Sequence, residues 1–330
     1  MTAPNPPFET RTLRYGAAAI AEAARTIAAG EPVAVPTETV YGLAADATDS
    51  AAVARIYEAK GRPSFNPLIV HVPDLAAAER IAVFDAGARA LAAAFWPGPL
   101  TLVLPLRPEA RISRLVTAGL DTIALRVPAH RAMRALLAAT GKPLAAPSAN
   151  ASNRISPTRA AHVLASLDGR IALVIDDGPT SAGVESTIVR DGEILRPGPI
   201  TAAEIEAVRS REGGSPESRA AALETLGSRV RGSTERVTAP GQLPTHYAPG
   251  KPLRLDATTA APDEWLIGFG AVAGDDTLSA SGDPVEAAAR LFDALHRADA
   301  APRARIAVAP VPETGIGIAI NDRLRRAAHR

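Results

Sequence analysis

The sequence contains no cysteine in its 330 residues. Disulfide bonds, thiolate zinc sites, iron–sulfur clusters and cysteine nucleophiles are therefore excluded. Aromatic residues make up only 4% of the chain, which leaves few side chains on which nucleic-acid bases could stack. No apolar run reaches the ~20 residues that span a bilayer, and the polar, proline-rich start lacks the pattern of a signal peptide. We therefore expect a soluble, cytoplasmic protein with no membrane partner.

Lysine is rare as well, because only Lys60, Lys142 and Lys251 occur among the 36 lysines and arginines. The net charge of +1 argues against a dedicated nucleic-acid surface. The chain also lacks the Gly-x-x-x-x-Gly-Lys-Ser/Thr phosphate loop, the dinucleotide-binding glycine fingerprint and the Gly-x-Ser-x-Gly elbow of many hydrolases. A nucleotide site in this protein would therefore be of an uncommon kind.

Hydrophobic residues make up 47% of the chain, which is enough for a packed core. Strand-like runs alternate with helix-like segments, so the predicted class is α/β, and the irregular alternation favours a mixed sheet. We predict helices over 16–29, 49–59, 85–95, 131–139, 158–167, 284–297 and 318–328. We predict strands over 32–35, 67–72, 100–104, 122–127, 144–146, 171–175, 186–189, 193–195, 265–269 and 306–309. The predicted domains are 1–209 and 251–330, with a Gly-, Ser- and Pro-rich linker or lid at 210–250.

Polar side chains follow several predicted strands, at the edge where open α/β sheets bind ligands. Thr37, Glu38 and Thr39 follow the first strand, although a capped loop explains them at least as well. Lys60 and Arg62 flank a glycine at a helix end and could hold a triphosphate, the arginine bidentately. The helix macrodipole alone would favour cations there by ~0.3–1 kcal/mol. Both interpretations stay open at this point.

Further polar residues follow the other strands. Asn66 and His71 lie beyond the helix that ends near Lys60, so its macrodipole does not explain them. Arg126 lies in an apolar strand, and a buried arginine needs a partner. Arg126 either points into a cavity, where it could bind a carboxylate or a phosphate, or belongs to an edge strand whose outer face is exposed to solvent. The turn that carries Ser148 and Asn150 consists of small residues that permit a close approach to a ligand.

Taken in order, these runs resemble the threonylcarbamoyl-AMP synthase family in its long, two-domain form. The matching runs are residues 36–42, 60–63, 66–71, 96–99, 126–128, 147–150, 185–187, 246–249 and 315–324. Each run is short, and their order and completeness carry the resemblance. The chain departs from the family before residue 246, where Gln-Leu-Pro-Thr replaces a basic or aromatic stretch.

The resemblance implies a twisted, mixed-sheet, YrdC-like N-terminal domain with a large positive cavity and a smaller Rossmann-like C-terminal domain. It implies a nucleotidyltransferase that converts L-threonine, bicarbonate and ATP into threonylcarbamoyl-AMP and pyrophosphate, for the threonylcarbamoyladenosine modification of tRNA. Magnesium would be bound through the ATP phosphates. The product would be handed over transiently to the machinery that modifies tRNA.

The resemblance also implies roles for individual residues. L-threonine would contact Thr39, His71, Arg126, Ala146 and Ser186. ATP would contact Lys60, Arg62, Asn66, Thr122, Ser148, Asn150, Ser156, Arg196 and Tyr247, the last from the lid. Lys60 and Arg62 would be the catalytic pair, because they would neutralise the triphosphate as charge moves to pyrophosphate. No protein ligand to a metal is predicted.

Three other hypotheses compete with this one. A binding module could use the positive cavity for weak RNA binding, which would depend steeply on salt. Another carbamoyl-adenylate enzyme, as in hydrogenase maturation, would need zinc-finger segments that a cysteine-free chain cannot form. A purely structural α/β protein would leave the ordered polar clusters unexplained.

Overall fold

The computed structural model describes residues 9–63, 65–211 and 246–329. The first two ranges contain ten strands: β1 (Arg11–Arg14), β2 (Val33–Pro36), β3 (Tyr41–Asp46), β4 (Ile69–His71), β5 (Leu100–Pro105), β6 (Thr122–Arg126), β7 (Leu144–Ala145), β8 (Leu173–Asp176), β9 (Thr187–Arg190) and β10 (Glu193–Arg196). They also contain eight helices: α1 (Ala17–Ala28), α2 (Ser50–Lys60), α3 (Leu75–Glu79), α4 (Ala86–Phe95), α5 (Arg114–Thr117), α6 (Arg131–Thr140), α7 (Ala160–Leu167) and α8 (Ala202–Arg211).

These ten strands form one sheet in the order β1-β8-β2-β3-β7-β4-β6-β5-β9-β10. The sheet contains both parallel pairs, such as β4–β6, and antiparallel pairs, such as β2–β3 and β5–β6. The predicted mixed sheet is therefore confirmed. Because β6 lies between β4 and β5, the alternative that Arg126 occupies an edge strand is wrong.

The last described range forms a second, smaller α/β unit. Its strands are β11 (Leu253–Arg254), β12 (Glu264–Gly268), β13 (Asp276–Thr277) and β14 (Arg305–Val308), and its helices are α9 (Pro284–Ala300) and α10 (Gly317–Ala328). The strands are all parallel, in the order β11-β14-β12-β13. None of the helices within the described ranges has the length and apolar character needed to cross a membrane.

Local signals explain why α2 begins and ends where it does. The Asp49 side chain caps it by accepting from the backbone N–H of Ala51, 2.8 Å away. Gly61 ends it in the left-handed conformation, at φ +57°. The predicted helix is confirmed, and its end places Lys60 in the last turn with Arg62 just beyond.

Seven elements were not predicted: β1, β3, α3, α5, α8, β11 and β13. Residues 11–14 belong to the polar start of the chain, for which no strand was predicted, yet they form β1 along β8. No strand was predicted after the polar run Thr37–Glu38–Thr39, yet β3 begins two residues beyond it, at Tyr41. Helix α8 extends to Arg211, two residues into the predicted linker. The rest of that linker, from 212 to 245, lies outside the described residues, so the proposed domain limits stay a prediction.

Candidate active site

A cavity opens where β4 and β6 end and where the chain enters β9. It holds about 550 Å³ of space free of protein atoms, including the part open to solvent. Segments from both α/β units line it: Thr37, Thr39, Val40, Gly42, Arg62, Ile69, His71, Arg126, Ala146, Pro147, Ser148, Glu185, Ser186, Arg196, His246 and Tyr247. Three arginines and one glutamate among these residues give the wall a positive balance.

The predicted site residues fall into three groups. All five that were assigned to L-threonine line the cavity: Thr39, His71, Arg126, Ala146 and Ser186. Of the nine assigned to ATP, four line it: Arg62, Ser148, Arg196 and Tyr247. The other five are not among the lining residues: Lys60, Asn66, Asn150 and Ser156 are buried, and Thr122 is half-buried at the opposite end of β6 from Arg126.

Three groups contact the Arg126 guanidinium, each at a different nitrogen. Nε donates to the carbonyl oxygen of Gly98 at 3.1 Å, and Nη1 donates to Thr39 Oγ1 at 3.0 Å. Nη2 lies 2.6 Å from Glu38 Oε1 in a buried ion pair. Although burial alone would raise the pKa of Glu38, the Arg126 charge and local hydrogen bonds hold it below its ordinary value. Glu38 is therefore a paired carboxylate, and its contact with Arg126, together with those of Gly98 and Thr39, fixes the Arg126 side chain in the cavity wall.

His71 lies beside Arg126, in register with it across the β4–β6 pair. Burial and the Arg126 charge lower the pKa of His71 to about 3, so the ring is neutral at pH 7. Neither ring nitrogen has a hydrogen-bond partner among the described residues. A neutral imidazole in this place can donate one hydrogen bond to a ligand and accept another, without adding positive charge.

Lys60 and Arg62 play different parts in the structure. The Lys60 ammonium is buried and donates to the backbone oxygens of Ser148, at 2.5 Å, and Asn150. Burial, followed by the nearby Arg62 charge, lowers its pKa well below the ordinary value. Arg62 lines the cavity while Nε and Nη2 donate to the carbonyl oxygens of Asn66 and Pro67. Burial lowers its pKa to about 10, so it remains a cation at neutral pH.

Ser186 sits between a hydroxyl and an arginine. Its Oγ lies 2.7 Å from Thr101 Oγ1, and Arg196 Nη2 donates to the same Oγ at 3.1 Å and to the Ser186 carbonyl oxygen at 3.0 Å. The Ser186 hydroxyl is thus held in place at the point where the chain enters β9.

The second α/β unit closes one side of the cavity through His246 and Tyr247. The two rings contact each other edge to face, with centroids 4.0 Å apart. The Tyr247 ring also packs on Phe292 of α9, at 5.6 Å, and is fully buried. Because the same apolar cluster includes Val40 and Val184, the core of the second unit continues into the rim of the cavity.

Sequence reasoning missed several residues of this site. Glu38 lies within the first polar run, but no role was assigned to it. Thr101 is buried in β5 without any sequence signal. Glu185 and Arg323 lie in matching runs, and His246 precedes the assigned tyrosine, so the motifs contained them although no chemistry identified them.

Comparison with known proteins gives a consistent result over the whole chain. Residues 25–198 match a family model described as telomere recombination, and residues 200–329 match the threonylcarbamoyl-AMP synthase C-terminal domain. The chain is 41% identical to the threonylcarbamoyl-AMP synthase of Bacillus subtilis over 94% of this chain and 92% of the relative. It is 40% identical to that of Pyrococcus abyssi over 93% of each.

A solved structure extends the likeness to three dimensions. The crystal structure of P. abyssi Sua5 complexed with L-threonine superposes with a TM-score of 0.83 at 37% sequence identity. The alignment covers 97% of each chain, so both α/β units are matched. The order of elements, the cavity between the two units and these similarities agree, and the chain belongs to the two-domain threonylcarbamoyl-AMP synthases.

Proposed function

We propose that this threonylcarbamoyl-AMP synthase binds L-threonine beside Arg126 and ATP beside Arg62, Arg196 and Tyr247, in one shared cavity. The observation that carries the proposal is that all five residues assigned to L-threonine line the same cavity as four assigned to ATP. The P. abyssi relative was crystallised with L-threonine, which supports an amino-acid site in this fold.

The threonine site is built from one charge and several neutral groups. Arg126 is the cation of the group, and two of its five N–H donors remain after Gly98, Thr39 and Glu38 are satisfied. Those donors suit a carboxylate. The neutral His71 ring and the Ser186 hydroxyl would take the polar groups of the amino acid. Ala146 provides a small wall that permits a close approach.

The nucleotide site uses the remaining cations. Arg62 and Arg196 line the cavity and would contact phosphate oxygens bidentately. Lys60 would act indirectly, because its ammonium holds the loop of Ser148 and Asn150 in place. The backbone of that loop would approach the nucleotide. Tyr247 would cover the nucleotide from the second α/β unit.

The chemistry requires positioning rather than a protein nucleophile. The amine of L-threonine attacks the carbon of bicarbonate or carbon dioxide and forms a carbamate, with loss of water from bicarbonate or of the amine proton with carbon dioxide. A carbamate oxygen then attacks the α-phosphorus of ATP, and pyrophosphate leaves. Holding the reactants in line can contribute ~7–11 kcal/mol toward lowering the barrier. Arg62, with Lys60 behind it, would stabilise the charge that moves onto pyrophosphate.

We assign no protein ligand to magnesium. Among the residues that the structure describes, no group of three or more His, Asp or Glu could hold a metal ion. The lining carboxylate, Glu185, already pairs with Arg323. The donor set therefore fits a magnesium ion carried by the ATP phosphates, where it would neutralise phosphate charge.

The test is pyrophosphate release upon mixing ATP, bicarbonate and L-threonine. Release should depend on L-threonine and fall strongly in Arg62→Ala and Lys60→Ala. Calorimetry with L-threonine and L-serine, with and without ATP, tests the amino-acid site separately. Wild-type rates in both variants, or equal binding of serine, would show that these assignments are wrong.

A further inference from the structure

A buried ion pair joins the two α/β units beside the cavity. Arg323 Nε of α10 donates to Glu185 Oε2 at 2.8 Å, across 138 residues of sequence. Arg323 is completely buried, and Glu185 is nearly so. The Arg323 guanidinium carbon also lies 5.3 Å from the centroid of the Tyr247 ring. One side chain of the C-terminal helix thus contacts both a lining carboxylate and the lining tyrosine.

The charge of Arg323 decides what Glu185 does to its surroundings. Burial alone would raise the pKa of Glu185. The positive charge of Arg323, and to a smaller extent that of Arg196, favours the ionised carboxylate and holds the pKa of Glu185 below its ordinary value. The Ser156 hydroxyl donates to the other carboxylate oxygen. If Arg323 lost its charge, the nearest compensation for Glu185 would be Arg196. A carboxylate that draws on Arg196 would weaken the hold of that arginine on a phosphate and would repel the phosphate itself.

We propose that Arg323 is a positioning residue for the nucleotide. It neutralises Glu185, so that Glu185 does not compete with ATP for Arg196, and it holds the Tyr247 ring against the cavity. This inference rests on the proposed function, in which Arg196 and Tyr247 contact ATP. Arg323 belongs to the family-like run at 315–324, so this run would help to position the nucleotide although it supplies no reacting group.

The first experiment measures KM for ATP and for L-threonine in Arg323→Met. Because Arg323, Glu185 and Arg196 belong to one charged network, the coupling between them should raise KM for ATP on the order of ten- to a hundredfold in this variant. KM for L-threonine should change less than about threefold, because Arg323 contacts none of the Arg126 partners. Arg323→Lys keeps the charge and should fall between Arg323→Met and the wild type.

A second variant separates the charge effect from a merely structural one. Arg323 Nη1 also donates to Asp322 Oδ2 at 2.8 Å, but Asp322 keeps Arg326 as a partner at 2.9 Å. In Arg323→Met/Glu185→Gln the uncompensated Glu185 carboxylate is gone, so most of the loss in KM for ATP should be recovered. If Arg323 only stabilised the packing of the two units, KM for ATP would be at least as high in the double variant as in the single one. A rise in both KM values without recovery in the double variant would overturn the inference. If Arg323→Met does not fold, the ATP-selective rise must still appear in Arg323→Lys.

Arg159→Met is the matched control. Arg159 Nε pairs with Asp293 Oδ1 at 2.9 Å, which also joins the two units, but its side chain is half exposed and does not line the cavity. This variant should leave both KM values unchanged. Arg196→Met tests the underlying proposal: if it raises KM for ATP and Arg323→Met does not, only the role of Arg323 is refuted. If neither variant changes KM for ATP, the nucleotide site itself is wrongly placed.

Discussion

Replacing Arg126 by lysine tests the threonine site most directly. The change preserves the positive charge but removes the planar fork of donors. In the wild type, three of the five N–H groups contact Gly98, Thr39 and Glu38, at 3.1, 3.0 and 2.6 Å. A lysine ammonium has three donors on one nitrogen and cannot satisfy these partners while also holding a carboxylate in two places.

The expected magnitude follows from the lost hydrogen bonds. A hydrogen bond to a charged group contributes about 1.5–3 kcal/mol. Loss of one of the two bonds to the L-threonine carboxylate should therefore weaken binding roughly 10- to 100-fold. The free energy of unfolding should fall by less than the ~3–5 kcal/mol typical of breaking a buried ion pair, because Glu38 keeps a cation beside it.

Isothermal titration calorimetry with L-threonine measures the effect, and urea unfolding measures the stability. Arg131→Lys is the matched control, since Arg131 pairs with Asp177 through an exposed side chain and does not line the cavity. It should bind L-threonine like the wild type. If Arg126→Lys, correctly folded, bound L-threonine within threefold of the wild type, Arg126 would not be the carboxylate site.

Three further predictions concern stability and packing. Asp49→Ala removes the 2.8 Å cap of α2 and should lower the free energy of unfolding by ~0.5–2 kcal/mol, seen by urea titration, while kcat is unchanged. Gly198→Ala should abolish most pyrophosphate release, because the new Cβ would lie 2.4 Å from the backbone nitrogen of Thr187 and force the neighbouring cavity segment to shift. Burial and His162 lower the pKa of His296 from 6.5 to about 4; the unfolded chain therefore takes up a proton first, and stability falls as the pH drops through this window. His296→Gln should reduce the difference in unfolding free energy between pH 7 and pH 5, and an undiminished difference would contradict this.

Much of the local structure could be predicted, because the signals that determine it are local. The cap at Asp49 and the left-handed glycine at 61 fix α2 from its own residues. The two strands predicted at 186–189 and 193–195 pair antiparallel as β9 and β10, because the Asp191–Gly192 turn between them is a favoured hairpin connection. The five residues assigned to L-threonine line one cavity. His71 and Arg126 end strands, Ala146 directly follows one, Thr39 lies between β2 and β3, and Ser186 directly precedes β9.

The contacts that define the site could not be predicted, because they depend on strand order and on packing between distant segments. Nothing near Glu38 in the sequence indicates that β6 will bring Arg126 within 2.6 Å of it. Lys60 was expected to face a triphosphate, yet it donates to a loop 88 and 90 residues away. Only the sheet order places β4, β6 and β7 side by side and so decides which polar groups face each other.

The electrostatic balance of the cavity explains why carboxylates can line or adjoin a site that must attract anions. A triphosphate and an amino-acid carboxylate both require positive potential, which an unpaired glutamate would lower. Glu38 and Glu185 each pair with a buried arginine, Arg126 and Arg323, and each carboxylate also accepts a hydrogen bond from a neighbouring N–H or O–H. In the proposed site, the first pair orients Arg126 toward L-threonine, and the second keeps the Glu185 charge from competing for Arg196. By this reasoning the second α/β unit contributes the Arg323 charge as well as the Tyr247 ring that covers the cavity. Removing α10 should therefore lower the affinity for ATP far more than the affinity for L-threonine.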